Sequence, residues 1–267
     1  MLTMGSLFDG IGGFPLAAVR NGIVPLWASE IEAFPIEVTK YHFPDMIHVG
    51  DITKLNGAYL PPVDIICGGS PCQDLSVAGA RAGLAGARSG LFMEQVRIVK
   101  EMRDADIRDG EPAQFVRPRF LVWENVPGAF SSGEPKGEDF RIVLEEIVRI
   151  KCDTVHVPRP DGGRWESAGR ILLGTDFSLA WRVLDAQYWG VAQRRRRIFL
   201  VADFGGRAAS KILFDEDCLP WYLAPSQRAG EGTAFAAQDG ADDAGWPMAT
   251  APFGSNDGRS VPHQSEE

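Results

Sequence analysis

The chain reads as an α/β fold, a mostly parallel, doubly wound sheet with helices on both faces, and three observations predict it. Over the first two hundred residues, short apolar runs alternate with amphipathic stretches, the signature of strands joined by crossover helices. A glycine-rich turn, Gly10-Ile11-Gly12-Gly13, links the first apolar run to the first helical pattern. With 267 residues and 45% hydrophobic content, the chain can bury a full core in one large domain.

The elements follow in order. Strands are expected at Met4–Phe8, Val24–Ser29, Met46–Val49, Val63–Cys67, Phe120–Trp123, Leu179–Leu184 and Ile198–Ala202, each a short run rich in branched or aromatic residues. Helical spacing of apolar residues covers Gly13–Asn21, Ile31–Tyr41, Gly90–Arg103 and Asp139–Lys151. Two segments interrupt this βα alternation. Arg103–Arg117 is charged and reads as a surface loop, and Cys152–Gly174, with its Val-His-Val-Pro start and Asp-Gly-Gly centre, predicts an inserted hairpin. After Phe204 small and acidic residues dominate, and apolar runs survive only at Ile212–Phe214 and Leu219–Leu223. The expected organisation is a main domain over residues 1–204 and an acidic linker or tail over 205–267, extended or disordered for much of 226–267.

The formal charge of −9 argues against a nucleic-acid partner at first sight. Residues 205–267 hold four basic and ten acidic residues, so −6 belongs to the tail and −3 to the rest. Against that near-neutral body stands the cluster Arg194-Arg195-Arg196-Arg197, and a local basic site binds phosphate even when net charge is unfavourable. No apolar run approaches the roughly 20 residues of a membrane span, and no signal pattern opens the chain. The four scattered cysteines lack paired metal-ligand spacing and histidine partners. A cytoplasmic protein with reduced thiols and no metal is expected.

Several motifs carry chemistry. Ser6-Leu7-Phe8-Asp9-Gly10-Ile11-Gly12-Gly13-Phe14 is a strand, a glycine turn and a helix start, a geometry that lets backbone amides approach a nucleotide-like ligand. The dinucleotide fingerprint would need glycine where Pro15 stands, which disfavours a nicotinamide cofactor. Glu30 ends the second strand twenty residues after Gly10, where an acid accepts ribose hydroxyls or simply complements a helix start. Asp51 can accept from an adenine amino group or cap a turn. Cys72 follows a strand and a glycine pair in Gly68-Gly69-Ser70-Pro71-Cys72-Gln73. Open parallel sheets place chemistry just beyond such strand ends, and cysteine is readily activated for covalent attack. Glu124 closes an apolar strand, where desolvation is expected to raise its pKa and suit it to proton donation. Alternation along the last strand would turn Arg195 and Arg197 to one face and Arg194 and Arg196 to the other; a plain surface charge run is the simpler reading.

In order and spacing, Phe-Asp-Gly-Ile-Gly-Gly-Phe, the strand-end Glu30, Gly-Asp-Ile-Thr, Gly-Gly-Ser-Pro-Cys-Gln, Glu-Asn-Val and Gln-Arg-Arg-Arg-Arg-Ile together resemble the DNA cytosine methyltransferases that act at carbon 5. The resemblance spans about residues 3–203. It implies a Rossmann-like S-adenosylmethionine-dependent fold and double-stranded DNA as partner. It also implies a nucleophilic Cys72 that attacks carbon 6 of a flipped-out cytosine while Glu124 holds and protonates nitrogen 3. Arg195 would bind the base oxygen with Arg197 in support, and Asn125 would position the Pro71–Cys72 loop. For the cofactor it implies Phe8, Gly10, Ile11 and Gly13 in the first loop, Glu30 at the ribose, Asp51 and Ile52 at the adenine, and Pro71 and Leu91 completing the pocket. Residues 73–89, with Gln73, Arg81 and Arg88, would close over DNA, and Arg194 would meet phosphate. Base flipping is required because carbon 5 is inaccessible inside a stacked duplex.

The family pattern continues into a target-recognition region and a final Gly-Asn-Ser/Ala-Val segment, of which Gly258-Arg259-Ser260-Val261 is a faint echo. A truncated chain, or one half of a split enzyme whose second polypeptide reads DNA, is therefore expected. The alternatives are the same chemistry on tRNA and a non-catalytic remnant that binds cofactor or a partner.

Overall fold

The computed structural model describes residues 1–71, 90–190 and 192–214. Its elements are β1 (Thr3–Leu7), α1 (Gly13–Arg20), β2 (Val24–Ser29), α2 (Ala33–His42), β3 (Ile47–His48), β4 (Ile65–Gly68), α3 (Leu91–Arg108), β5 (Phe120–Asn125), α4 (Glu138–Arg149), β6 (Ala168–Leu173), β7 (Phe177–Asp185), β8 (Arg196–Asp203) and α5 (Ala209–Leu213). One eight-stranded sheet runs in the order β3-β2-β1-β4-β5-β8-β7-β6. The ladders from β3 to β5 are parallel, whereas β5–β8, β8–β7 and β7–β6 are antiparallel. The sheet is thus mostly parallel, since β7 runs in the same direction as β1 to β5.

The core sits on the face covered by α3 and α4, where Leu121 and Trp123 of β5 pack with Phe92, Ile98, Phe140 and Leu144. Alternation sends Val122 to the opposite face, where it joins Cys67 and Ala18 of α1 on one side and Ala209 of α5 on the other. Close packing forces small residues at two strand positions. A Cβ on Gly5 would lie 2.2 Å from the Trp27 ring, and one on Gly169 would lie 2.1 Å from that of Trp181.

Three expectations change. Arg103–Arg117 is not all loop, because α3 continues to Arg108 and buries Arg103 and Asp106. Arg103 donates to the carbonyls of Val116 (3.3 Å) and Pro118 (2.6 Å) and lies over the Phe204 ring, so its charge faces inward. No hairpin closes within 152–174. Asp161–Gly163 is a single 3-10 turn, and β6 pairs instead with β7, beyond the expected span. Residues 205–214 are not a linker, since α5 packs on β7 and β8. The tail from residue 215 onward lies outside the described residues. Among the described residues, no helix is long and apolar enough to cross a membrane.

Candidate active site

Two groups of residues meet at the carboxyl ends of the parallel strands. The first surrounds the turn after β1. Phe8 and Gly10 both adopt φ of 55°, and Gly12 adopts 87°, a left-handed region open to glycine but uncommon for phenylalanine. A Cβ on Gly12 would lie 2.9 Å from both Phe43 and Thr39, whereas Gly10 and Gly13 face open space. The turn is therefore packed from below and accessible from above. Glu30 closes it from β2: Oε2 accepts from the Gly10 N–H at 2.8 Å, and Oε1 accepts from Ile31 (2.7 Å) and Glu32 (3.0 Å). Ile11 is exposed.

Asp51 caps the 3-10 turn after β3. Its Oδ1 accepts from the Thr53 N–H at 3.0 Å and hydroxyl at 2.8 Å, and those bonds hold the carboxyl below its usual range. Ile52 as a whole is 4% exposed, and its carbonyl accepts from Arg97 Nη2 at 3.0 Å and from the Leu55 N–H at 3.3 Å. Leu91 opens α3 at the edge of the core, and Pro71 is exposed.

The second group surrounds Glu124. Arg197 Nε lies 3.0 Å from its Oε1 and Arg195 Nη2 lies 3.9 Å away. The apolar strand end expected for Glu124 is thus replaced by two facing guanidinium groups. Arg195 and Arg197 both approach Glu124, as alternation requires; Arg194, Arg195 and Arg196 are exposed, and Arg197 is half-buried. Asn125, 1% exposed, donates to the Ser70 carbonyl at 3.1 Å and accepts from the Val126 N–H at 2.8 Å. Trp123 Nε1 donates to Ser70 Oγ at 3.3 Å, and a Cβ on Gly69 would sit 3.1 Å from Glu124 Oε2. Residues 69–71, which lead into Cys72, are thereby tied beside Glu124. Cys72, Gln73, Arg81 and Arg88 lie outside the described residues. A pocket of about 310 Å³ opens between Glu124, Arg195 and Arg197, with Leu184, Ala186, Trp189 and Phe199 on its other walls.

Three polar groups here escape a sequence reading. Asp9 stands within the glycine turn, yet it is only 6% exposed, with Oδ1 bonded to Ser6 Oγ at 2.5 Å and Oδ2 without a hydrogen-bond partner among the described residues. Burial pushes its carboxyl up to about 6. Gln95 of α3 is buried, donates to the Val122 carbonyl at 3.3 Å and abuts Gly68. Asp185 ends β7 and binds the Arg195 N–H at 3.0 Å. A polar residue beside each motif was the only available signal, and it does not reveal which way the side chain turns.

The fold is that of the Rossmann-like methyltransferases: the chain superposes on the Schizosaccharomyces pombe Dnmt2 methyltransferase with a TM-score of 0.52 at 16% identity, over 85% of this chain and 57% of that one. A family model described as C-5 cytosine-specific DNA methylase matches residues 2–150, and the chain belongs to that family. Among curated relatives, it is 32% identical over 262 residues to a DNA N-6-adenine-methyltransferase of Escherichia phage P1, covering 90% of this chain and 34% of that protein. It is 28% identical over 195 residues to the type II methyltransferase M.HhaI of Haemophilus parahaemolyticus, covering 73% of this chain and 47% of that protein. The chain thus spans less than half the length of these relatives.

Proposed function

We propose that this chain transfers a methyl group from S-adenosylmethionine to carbon 5 of cytosine in double-stranded DNA, through a covalent adduct of Cys72 with a flipped-out base. The observation that carries the reading is the tie of Ser70 to the strand end that carries Glu124, made by Asn125 to its carbonyl and by Trp123 to its hydroxyl. It holds Ser70, two residues before Cys72 in the sequence, beside a carboxyl already flanked by two arginines.

Each group has a task. Cytosine carbon 5 is a weak nucleophile, so the Cys72 thiolate adds to carbon 6 and pushes an electron pair toward nitrogen 3. Glu124 supplies the proton that nitrogen 3 takes up, and Arg195 holds the base oxygen with Arg197 bracing Glu124. The resulting enamine carbon 5 is the methyl acceptor. Removal of the carbon-5 proton by a base then expels the thiolate and restores the ring. Bound S-adenosylmethionine supplies an electrophilic methyl group. The open turn at Gly10 and Gly13 fits that ligand, because it presents backbone beside Glu30 without side chains in the way. Phe8 and Ile11 would border the same turn, Glu30 would accept ribose hydroxyls with its remaining lone pairs, and Asp51 with Ile52 would meet the adenine. Pro71 and Leu91 would close the pocket, and Gln73, Arg81, Arg88 and Arg194 would engage DNA.

The named activity of the phage P1 relative favours a second reading, methylation of adenine N6. The match covers 34% of that protein, and adenine N6 chemistry needs no covalent thiol. Incubation with tritiated S-adenosylmethionine and unmethylated duplex DNA, followed by mass spectrometry of the nucleosides, separates the two. 5-Methylcytosine is expected, with incorporation lost in Cys72→Ala; N6-methyladenine, or equal incorporation by the variant, would overturn the proposal. Parallel reactions with tRNA discriminate the nucleic-acid substrate.

A further inference from the structure

The turn between β7 and β8 carries residues to which this mechanism assigns no task. The Asp185 carboxylate accepts from the backbone N–H groups of Gln187 (3.3 Å) and Arg195 (3.0 Å) and from Gln187 Nε2 (3.1 Å). The Ala186 N–H donates to the Arg195 carbonyl at 3.0 Å, and the Trp189 N–H donates to the Ala186 carbonyl at 2.9 Å. These bonds fold the single 3-10 turn Ala186–Tyr188 back against the start of the arginine block and end it at Trp189. The indole thereby borders the pocket of Glu124, Arg195 and Arg197, with Leu184 and Phe199 on the neighbouring strands. It remains 45% exposed, unusual for a residue that is highly buried on average.

A pyrimidine offers a polar edge and two flat faces. Glu124 and Arg195 match the edge. For a face, the pocket offers an indole, and base–aromatic stacking is both favourable and tolerant of sequence. We propose that Trp189 is the stacking wall of the target-base pocket, lying against the ring of the flipped cytosine while Asp185 positions the turn that presents it. The inference rests on the cytosine-methylation reading and adds to it a residue that holds the base outside the helix without touching the cofactor.

Methyl transfer to unmethylated duplex DNA by wild type, Trp189→Phe and Trp189→Ala tests this. Trp189→Ala is expected to raise KM for DNA by roughly tenfold or more, with S-adenosylmethionine affinity by calorimetry unchanged. Trp189→Phe should stay close to wild type. An alanine variant with wild-type KM, or a phenylalanine variant as impaired as alanine, would overturn the assignment. Independently, photo-crosslinking of duplex DNA bearing 5-iodocytosine is expected to place an adduct on Trp189, and adducts confined to other residues would contradict it. Crosslinking requires no methyl transfer. A wild-type protein that crosslinks through Trp189 but methylates nothing would therefore count against the methylation reading while leaving the stacking wall in place.

Discussion

Asp9 couples the glycine-rich turn after β1 to pH through one buried carboxyl. Burial is the main cause of its elevation to about 6; the Ser6 hydroxyl opposes the shift and the Glu30 charge adds to it. Cys67, beneath it on β4, is itself pushed up to about 12 by burial and stays a neutral thiol. Unfolded aspartate titrates near 3.8, so between about pH 4 and 6 the native state keeps a proton that the unfolded chain has released. Stability therefore falls as pH rises through that window, by up to ~3 kcal/mol, and does not recover above it. Asp9→Asn retains an acceptor for Ser6 and removes the charge. Denaturant unfolding across pH should find this variant equal to wild type near pH 4 and more stable by roughly 1–3 kcal/mol above pH 6.5. A difference that does not vary with pH would refute the assignment.

At the level of elements, β8 decides the site, because it lies antiparallel against β5 with Glu124 opposite Phe199 and so brings the arginines to the carboxylate. Its far end is pinned at Asp203, which accepts from Arg119 Nε (2.9 Å) and Nη2 (3.1 Å) and from the N–H groups of Gly205 and Ala208, both at 3.0 Å. Burial opposes ionisation of Asp203, but these bonds hold its carboxyl below the usual range. That stabilisation is complete above the unfolded value and is lost as pH falls. Asp203→Ala removes a fully buried acceptor, while its donors on exposed Arg119 and Gly205 and half-buried Ala208 can turn to water, and should cost about 1–3 kcal/mol, seen as a fall in Tm of a few degrees; an unchanged Tm would show that the pair is dispensable. The strands of this region were legible from composition, but their direction was not. Only ten residues separate Asp185 from Arg196, too few for a crossover helix, and that length was the one available sign of antiparallel pairing. Arg103 and Asp106 show the converse: a charged helical end reads as solvent-exposed until the carbonyls of Val116 and Pro118 arrive from a distant loop to receive it.

For the whole molecule, the net charge of −9 confines the proposed DNA contacts to local basic groups, the block at residues 194–197 together with Arg81 and Arg88. Arg197 is paired with Glu124 and Arg195 is assigned to the base oxygen, which leaves Arg194 and Arg196, with Arg81 and Arg88, for phosphates. Binding to mixed-sequence duplex should thus weaken with salt at a slope of log K against log salt of roughly −2 to −4, measured by fluorescence anisotropy. A slope near zero would exclude the arginine block from phosphate contact. The sequence by itself determined the α/β class, the succession of strands and helices in the first two hundred residues, and the motifs that mark the family, because periodicity and glycine placement are local properties of a chain. Only the tertiary structure decided that Glu124 faces Arg195 and Arg197, that Asn125 holds the Ser70 carbonyl, and that Trp189 borders the pocket beside Glu124. Those contacts join residues far apart along the chain, and they form only when β4, β5 and β8 lie side by side in one register.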